Sequence, residues 1–140
     1  MPVAAVRVNV SPEQHIILVV EDEVLTRVAI ADQLRGQGLA VREAANADEA
    51  IAILETDSPI DLVFTDMQMP GSMDGIALVH RLRQTHPHLK LVLTSAYSPA
   101  WLYPTLADAF IGKPYDAKRV VEQLKNLLQP GQHERANQVT

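Results

Sequence analysis

Carboxylates, hydroxyl groups and an ammonium group follow four short apolar segments of this chain. They are Glu21, Asp22 and Glu23 after residues 16–20, Asp66 after 61–65, Thr94 and Ser95 where the run from residue 89 ends, and Lys113 after 108–112. If these segments are strands of a parallel sheet, their carboxyl ends share one edge, which is where open α/β sheets bind ligands. The sequence therefore predicts that these groups converge at one site.

The chemistry of this set is specific. Several carboxylates at close range repel one another unless a cation neutralises them. Because the set offers oxygen ligands and the chain has no cysteine, a hard ion such as Mg²⁺ is the expected metal. A lysine in a cation site makes sense if an anion also arrives there. A phosphoryl group fits best, since Mg²⁺ and Lys113 would offset its charge and a hydroxyl would bond one of its oxygens.

The elements that must position these groups follow from the hydrophobic pattern. Apolar, often β-branched runs predict five strands, at 16–20, 39–44, 61–65, 89–94 and 108–112. Segments with helical spacing lie between them, and Asn46 with Glu49 forms a plausible capping pair for one of these helices. Strands alternating with helices predict an α/β fold, a doubly wound five-stranded parallel sheet with helices on both faces.

Length, charge and composition exclude several classes of protein. The 140 residues suit one domain. The net charge of -5, with no dense Lys/Arg cluster, argues against nucleic-acid binding. The longest apolar runs are far too short to span a bilayer, and the N-terminus does not read as a signal peptide. The absence of cysteine excludes disulfides and fits a reducing compartment, so we expect a cytoplasmic protein without membrane insertion.

Four motifs resemble those of the receiver domains of two-component response regulators. They are "ILVVEDE" at 17–23, "DMQMPGSMDG" at 66–75, "TSA" at 94–96 and "KPY" at 113–115. The match covers about residues 15–129, which leaves an expected mobile leader at 1–14 and a polar tail at 130–140. The resemblance implies a flavodoxin-like sheet with strand order 2-1-3-4-5.

The resemblance also implies roles for individual residues. Asp66 matches the aspartate that takes a phosphoryl group from a phosphohistidine on a partner histidine kinase or phosphotransfer protein. The implied direct Mg²⁺ ligands are Asp22, Asp66 and the backbone carbonyl of Gln68, and Glu21 belongs to the metal site through a bridging water. The implied phosphoryl-binding residues are Ser95, Ala96 and Lys113, the switch residues are Ser95 and Phe110, and the residues that tune dephosphorylation are Gln68 and Tyr97.

The sequence departs from the family pattern in three places. Glu21 stands where Asp is common, and its extra methylene moves the carboxylate. Either Thr94 or Ser95 could take the hydroxyl role, with Ser95 favoured because the small Ala96 follows it. Ser95 and Lys113 are 18 positions apart, about one helical turn short of many receivers. Since Pro99 and Pro104 fall in between, we expect a short or irregular fourth helix there.

These observations favour a phosphorylation-controlled signalling switch, not a turnover enzyme, that acts through protein contacts on an unidentified target. Whether it forms a homodimer is left open. The main alternative is a degenerate receiver that binds partners without phosphorylation. An Asp-nucleophile phosphatase is disfavoured because Gln68 occupies the position of the second acid. A flavodoxin is disfavoured because the acids after the first strand would repel a flavin phosphate.

Overall fold

The computed structural model describes residues 14–56, 59–96 and 106–129. The strands are β1 (Ile16–Val20), β2 (Ala40–Ala44), β3 (Leu62–Asp66), β4 (Lys90–Ser95) and β5 (Ala109–Gly112). The described helices are α1 (Val24–Gly36), α2 (Ala47–Leu54), α3 (Gly75–Thr85) and α4 (Ala117–Leu127). All five predicted strands are confirmed. The helix expected around Pro99 and Pro104 lies outside the described residues, as do the tail and all of the leader except Gln14.

The five strands form one parallel sheet in the order β2-β1-β3-β4-β5, which confirms the predicted fold class. The register aligns the strand ends that carry the candidate residues. Val20 pairs with Thr65, Asp66 pairs with Thr94, and Ser95 pairs with Gly112. The carboxyl ends of β1, β3, β4 and β5 therefore meet at one edge of the sheet.

Helices cover both faces of the sheet. On one face, which we call the α2/α3 face, strand residues such as Val63 and Leu93 pack with Leu78 of α3. On the opposite α1/α4 face, Phe64 and Val92 belong to a second apolar cluster that includes residues of α1 and α4. Because side chains alternate between the faces of a strand, both sets must be apolar. This double burial explains the nearly continuous apolar runs of the sequence.

Side-chain caps begin three of the described helices. Asn46 Oδ1 accepts a hydrogen bond from Glu49 N at 2.8 Å, which confirms the predicted capping pair of α2. The Glu49 carboxylate accepts in return from Ala45 N at 2.8 Å. Asp74 caps α3 and Asp116 caps α4 in the same way. None of the described helices is long and apolar enough to cross a membrane.

The start of α3 touches the end of β3. A Cβ atom on Gly75 would lie 1.8 Å from the backbone oxygen of Asp66, and Gly75 N donates to Met67 O at 3.0 Å. Only a residue without a side chain permits this approach. Gly75 therefore fixes how the chain leaves the strand end that carries Asp66.

Replacing Gly75 with alanine should destabilise the fold, because a rigid backbone atom cannot give way to the new methyl group. We expect Gly75→Ala to lower the free energy of unfolding by about 3 kcal/mol, measured by urea denaturation. Gly36→Ala is the matched control. A Cβ there meets nothing within 4 Å, and alanine favours the helix, so its stability should be unchanged or raised by up to about 1 kcal/mol. Equal stability of the two variants would contradict the contact at Gly75.

Candidate functional site

Three carboxylates meet at the carboxyl edge of the sheet. Glu21 follows β1 and is 6% exposed, Asp66 ends β3 and is 9% exposed, and Asp22 is exposed. One oxygen of each lies within 4.8 Å of the others. The structure thus brings together the three acids predicted to hold a metal, and the adjacency of β1 and β3 is the reason that they meet.

Lys113 is the cation that faces these acids. Its Nζ donates to Asp66 Oδ2 at 3.0 Å and to Glu21 Oε1 at 3.4 Å. Its backbone N donates to Ser95 O at 2.8 Å, which fixes the chain just beyond β5 against β4. Although β4 separates β5 from β3, the long lysine side chain spans that strand.

The longer side chain of Glu21 still reaches the group. Its Oε2 accepts from Glu23 N at 3.1 Å while Oε1 contacts Lys113. The backbone of Glu21 is held by Arg27, whose Nη1 donates to Glu21 O at 2.8 Å. Arg27 also pairs with Glu43 of β2, Nε to Oε1, at 3.2 Å. Sequence reasoning missed Arg27, because a side chain that bonds a backbone carbonyl six positions away leaves no motif.

Burial and charge shift the pKa values of three groups. Burial raises the pKa of Glu21, while the hydrogen bond from Glu23 N and the charge of Lys113 act in the opposite direction. Burial alone would lower the pKa of Lys113, but its hydrogen bond to Asp66 and the nearby carboxylates raise it overall. The ammonium is therefore charged at neutral pH. Burial also raises the pKa of Tyr115, whose ring packs edge-on against Phe64 at 6.1 Å.

Three further predicted site residues, Gln68, Ala96 and Phe110, are among the described residues. Gln68 is exposed, and its backbone N donates to Asp66 Oδ1 at 3.2 Å. Ala96 is exposed just after β4. Phe110 is half-buried and packs against the α2/α3 cluster. Tyr97 lies outside the described residues.

Thr94 and Ser95 are both 2% exposed, but they belong to opposite faces of β4. Leu93 lies on the α2/α3 face and pairs in register with Phe110, so Ser95 shares that face with Phe110. Val92 lies on the α1/α4 face, so Thr94 belongs to that face. The two candidate hydroxyl groups therefore have different surroundings.

Comparison with known proteins identifies the family. The model of the response regulator receiver domain matches residues 17–125. This chain belongs to that family. It is therefore a receiver domain of two-component response regulators, a phosphoacceptor switch.

Individual relatives agree with this assignment. The chain is 34% identical over 119 residues to the chemotaxis protein CheY of Bacillus subtilis, covering 81% of this chain and 98% of that protein. It is 36% identical over 118 residues to the sensor kinase CckA of Brucella abortus, covering 81% of this chain but 12% of CckA. It thus spans only a small part of some relatives that it matches.

A solved structure agrees as well. The response regulator TrrA of Thermotoga maritima, crystallised with Mg²⁺ and BeF, superimposes with a TM-score of 0.74 at 29% identity. The alignment covers 81% of this chain and 99% of that one. Receiver domains bind Mg²⁺ at an acidic cluster and interact with histidine kinases or phosphotransfer proteins and with downstream targets.

The shared ion pair predicts a pH-dependent loss of stability when Lys113 is replaced by methionine. Without divalent cations at pH 7, Lys113→Met should lower the free energy of unfolding by about 1–3 kcal/mol, because two nearly buried carboxylates lose their counter-charge. The pKa of Glu21 then rises further above its unfolded value. A carboxyl group with a raised pKa destabilises the fold when ionised, so the loss should shrink as the pH falls to 5.

Mg²⁺ should restore part of this stability at pH 7. Lys118→Met is the control, since Lys118 is exposed on α4 and its replacement should change stability by less than about 0.5 kcal/mol. Urea denaturation at the two pH values gives the measurement. An equal loss for Lys113→Met at pH 5 and pH 7 would show that charge is not the cause.

Proposed function

We propose that Asp66 accepts a phosphoryl group from a phosphohistidine on a partner histidine kinase or phosphotransfer protein. The observation that carries this proposal is the 3.0 Å contact between Lys113 Nζ and Asp66 Oδ2 at the carboxyl edge of the sheet. The contact places a cation on the acid that would receive an anionic group. The other carboxylate oxygen, Asp66 Oδ1, accepts a hydrogen bond from Gln68 N at 3.2 Å.

The charges of the site suit Mg²⁺. The site contains three carboxylates, with oxygen atoms within 4.8 Å of one another, and one ammonium group. Their net charge is therefore -2, which one Mg²⁺ would neutralise. We propose that Glu21, Asp22, Asp66 and the backbone carbonyl of Gln68 hold the ion. This oxygen-only set, with Asp22 on the solvent side, is one that Mg²⁺ prefers. When bound, Mg²⁺ offsets the charge of the transferred group.

In the transfer, a carboxylate oxygen of Asp66 attacks phosphorus. The new oxygen–phosphorus bond forms as the phosphorus–nitrogen bond breaks, and the imidazole of the donor leaves with the electron pair of that bond. Lys113 then pairs with the phosphoryl oxygens instead of the carboxylate, which stabilises charge where it accumulates. The step consumes the phosphoryl group without regenerating the carboxylate, so the chain acts as a phosphoacceptor and not as a turnover enzyme.

The proposed conformational switch involves side chains on the α2/α3 face of the sheet. We propose that the Ser95 hydroxyl moves toward the phosphoryl group, that Ala96 leaves access to it, and that Phe110 repacks. Ser95 and Phe110 share this face, and Phe110 is only half-buried, which supports Phe110 as the side chain that repacks. Phosphorylation would bias the two packings. Gln68 beside Asp66, with Tyr97, is proposed to set the rate of dephosphorylation.

The phosphodonor has a candidate docking surface at the start of α1. Val24, Leu25 and Val28 are 56%, 82% and 39% exposed, and we call them the α1 patch. The patch begins two positions after Asp22 in the chain, so a protein seated on it would lie near the carboxylates. Apolar side chains exposed together mark interaction sites in soluble domains. We propose that the donor protein covers this patch during transfer.

If the donor protein docks on the α1 patch, a substitution there should slow phosphotransfer from a protein donor but not from a small-molecule donor. Leu25→Ser should slow phosphotransfer from a phosphorylated donor protein by about tenfold, because apolar contact area is lost. Labelling by acetyl phosphate should stay at the wild-type rate, since a small donor needs no protein docking surface. Rapid-quench assays with both donors give the comparison. An equal effect on the two donors would argue against docking at this helix.

The phosphoacceptor role is tested by intact mass after incubation with acetyl phosphate. Wild type should gain the mass of one phosphoryl group with Mg²⁺ and not with a chelator. Asp66→Asn should gain none while keeping its circular dichroism spectrum. The control Asp32→Asn alters an exposed acid on α1 and should label normally. Undiminished labelling of Asp66→Asn would refute the proposal, and a folded wild type that never labels would favour a phosphorylation-independent binding module.

A further inference from the structure

The hydroxyl group of Thr94 is buried and has no hydrogen-bond partner among the residues that the structure describes. Thr94 is 2% exposed, and among the described residues its Oγ1 is identified as a buried side-chain oxygen that pairs with nothing. Burying an unpaired hydroxyl costs free energy, so nearly all buried polar groups in native proteins are paired. The position therefore requires a physical explanation.

Thr94 flanks Asp66. The two residues pair in register between β4 and β3. Two positions earlier, the paired residues Val92 and Phe64 both lie in the α1/α4 cluster. By strand alternation, Thr94 and Asp66 extend on the same face, with their backbones about 4.8 Å apart. The Thr94 hydroxyl is thus beside the acid that would carry the phosphoryl group.

The backbone at this point is fixed. Met67 N donates to Thr94 O at 2.8 Å, so the ladder continues past Asp66. Thr94 cannot leave its place without breaking this bond, but its hydroxyl can turn about a single side-chain bond. The Thr94 hydroxyl is thus a hydrogen-bond donor that is held in position, and it could bond an acceptor that enters the site later.

Thr65 provides the contrast. It lies on β3 immediately before Asp66 and is fully buried. Its Oγ1 donates to Asp66 O at 3.0 Å. An unpaired hydroxyl is therefore not a general property of threonines at these strand ends.

We propose that Thr94 is a second hydroxyl donor to phosphorylated Asp66, in addition to Ser95. This inference rests on the proposed function of Asp66. The Thr94 Oγ1–H donates to an oxygen of the acyl phosphate, so the bond missing from the unphosphorylated chain forms after transfer. An interaction made in only one of two states shifts the equilibrium toward that state. Thr94 thereby stabilises the phosphorylated form.

The test uses Thr94→Val, which keeps the shape of the side chain and removes the hydroxyl. The probe is beryllofluoride with Mg²⁺, whose fluorides stand in for the phosphoryl oxygens and accept hydrogen bonds. Titration calorimetry and fluorine NMR measure its binding. Thr94→Val should bind at least about tenfold more weakly than wild type, as for the loss of a hydrogen bond to a charged group. Thr94→Ser, which keeps the hydroxyl, should restore most of the affinity.

Stability without beryllofluoride separates this role from a structural one. Removing an unpaired hydroxyl should leave the melting temperature of Thr94→Val equal to or above that of wild type. Thr65→Val, which removes a paired hydroxyl, should melt at a lower temperature than wild type. This difference is a readout that a merely structural threonine at position 94 would not produce.

Two results would overturn the inference alone. One is binding of beryllofluoride by Thr94→Val within about twofold of wild type. The other is a melting temperature of Thr94→Val as low as that of Thr65→Val, which would mean that the hydroxyl is already paired. A folded wild type that does not bind beryllofluoride with Mg²⁺ would refute the proposed function of Asp66, and the role of Thr94 with it.

Discussion

Two nearly buried carboxylates share the ammonium group of Lys113 at the carboxyl edge of the sheet. Glu21 and Asp66 come from adjacent strands, and Lys113 reaches them across β4. Without that cation the carboxylates would repel each other in surroundings that solvate charge poorly. The carboxyl ends of β1, β3 and β5 supply the three groups that meet this requirement. The same charges make the site suitable for a divalent cation and for an incoming anion. The cation would neutralise the carboxylates, and Lys113 could then pair with the anion.

The fold serves this site by burying the strands on both faces and leaving their carboxyl ends accessible. Apolar clusters on the α2/α3 and α1/α4 faces pack the helices against both sides of the sheet. The strand ends can therefore carry polar groups at fixed separations. Gly75 allows α3 to begin against Asp66 O, and Arg27 holds the backbone of Glu21. These contacts position the functional groups without taking part in the proposed chemistry.

Much of the fold and site was predictable from the sequence because the relevant signals are local. Apolar runs identify strands. In a parallel sheet, the residues that directly follow each strand must lie at the same edge. Glu21, Asp66 and Lys113 could be assigned to one site on that ground. The strand order came from family resemblance instead, since periodicity does not say which strands are neighbours.

Other features could not be predicted because they depend on tertiary contacts. Arg83 shows this, since it donates to the backbone oxygens of Leu106 and Leu89 and pairs with Asp108 at 3.2 Å. No sequence pattern marks such bonds. The unpaired hydroxyl of Thr94 is likewise visible only once the neighbouring strands are in place. The separate faces of Thr94 and Ser95 follow from strand alternation, but their different surroundings require the packed helices.

A crystal structure of the chain with Mg²⁺ and beryllofluoride would show whether Asp66 is the phosphoacceptor. We expect beryllium bonded to a carboxylate oxygen of Asp66, Mg²⁺ among the oxygens of Glu21, Asp22 and Asp66, and Lys113 Nζ in contact with a fluoride. If crystals grown at saturating beryllofluoride and Mg²⁺ show no beryllium at Asp66, and Lys113 still bridges Glu21 and Asp66, then Asp66 is not the phosphoacceptor.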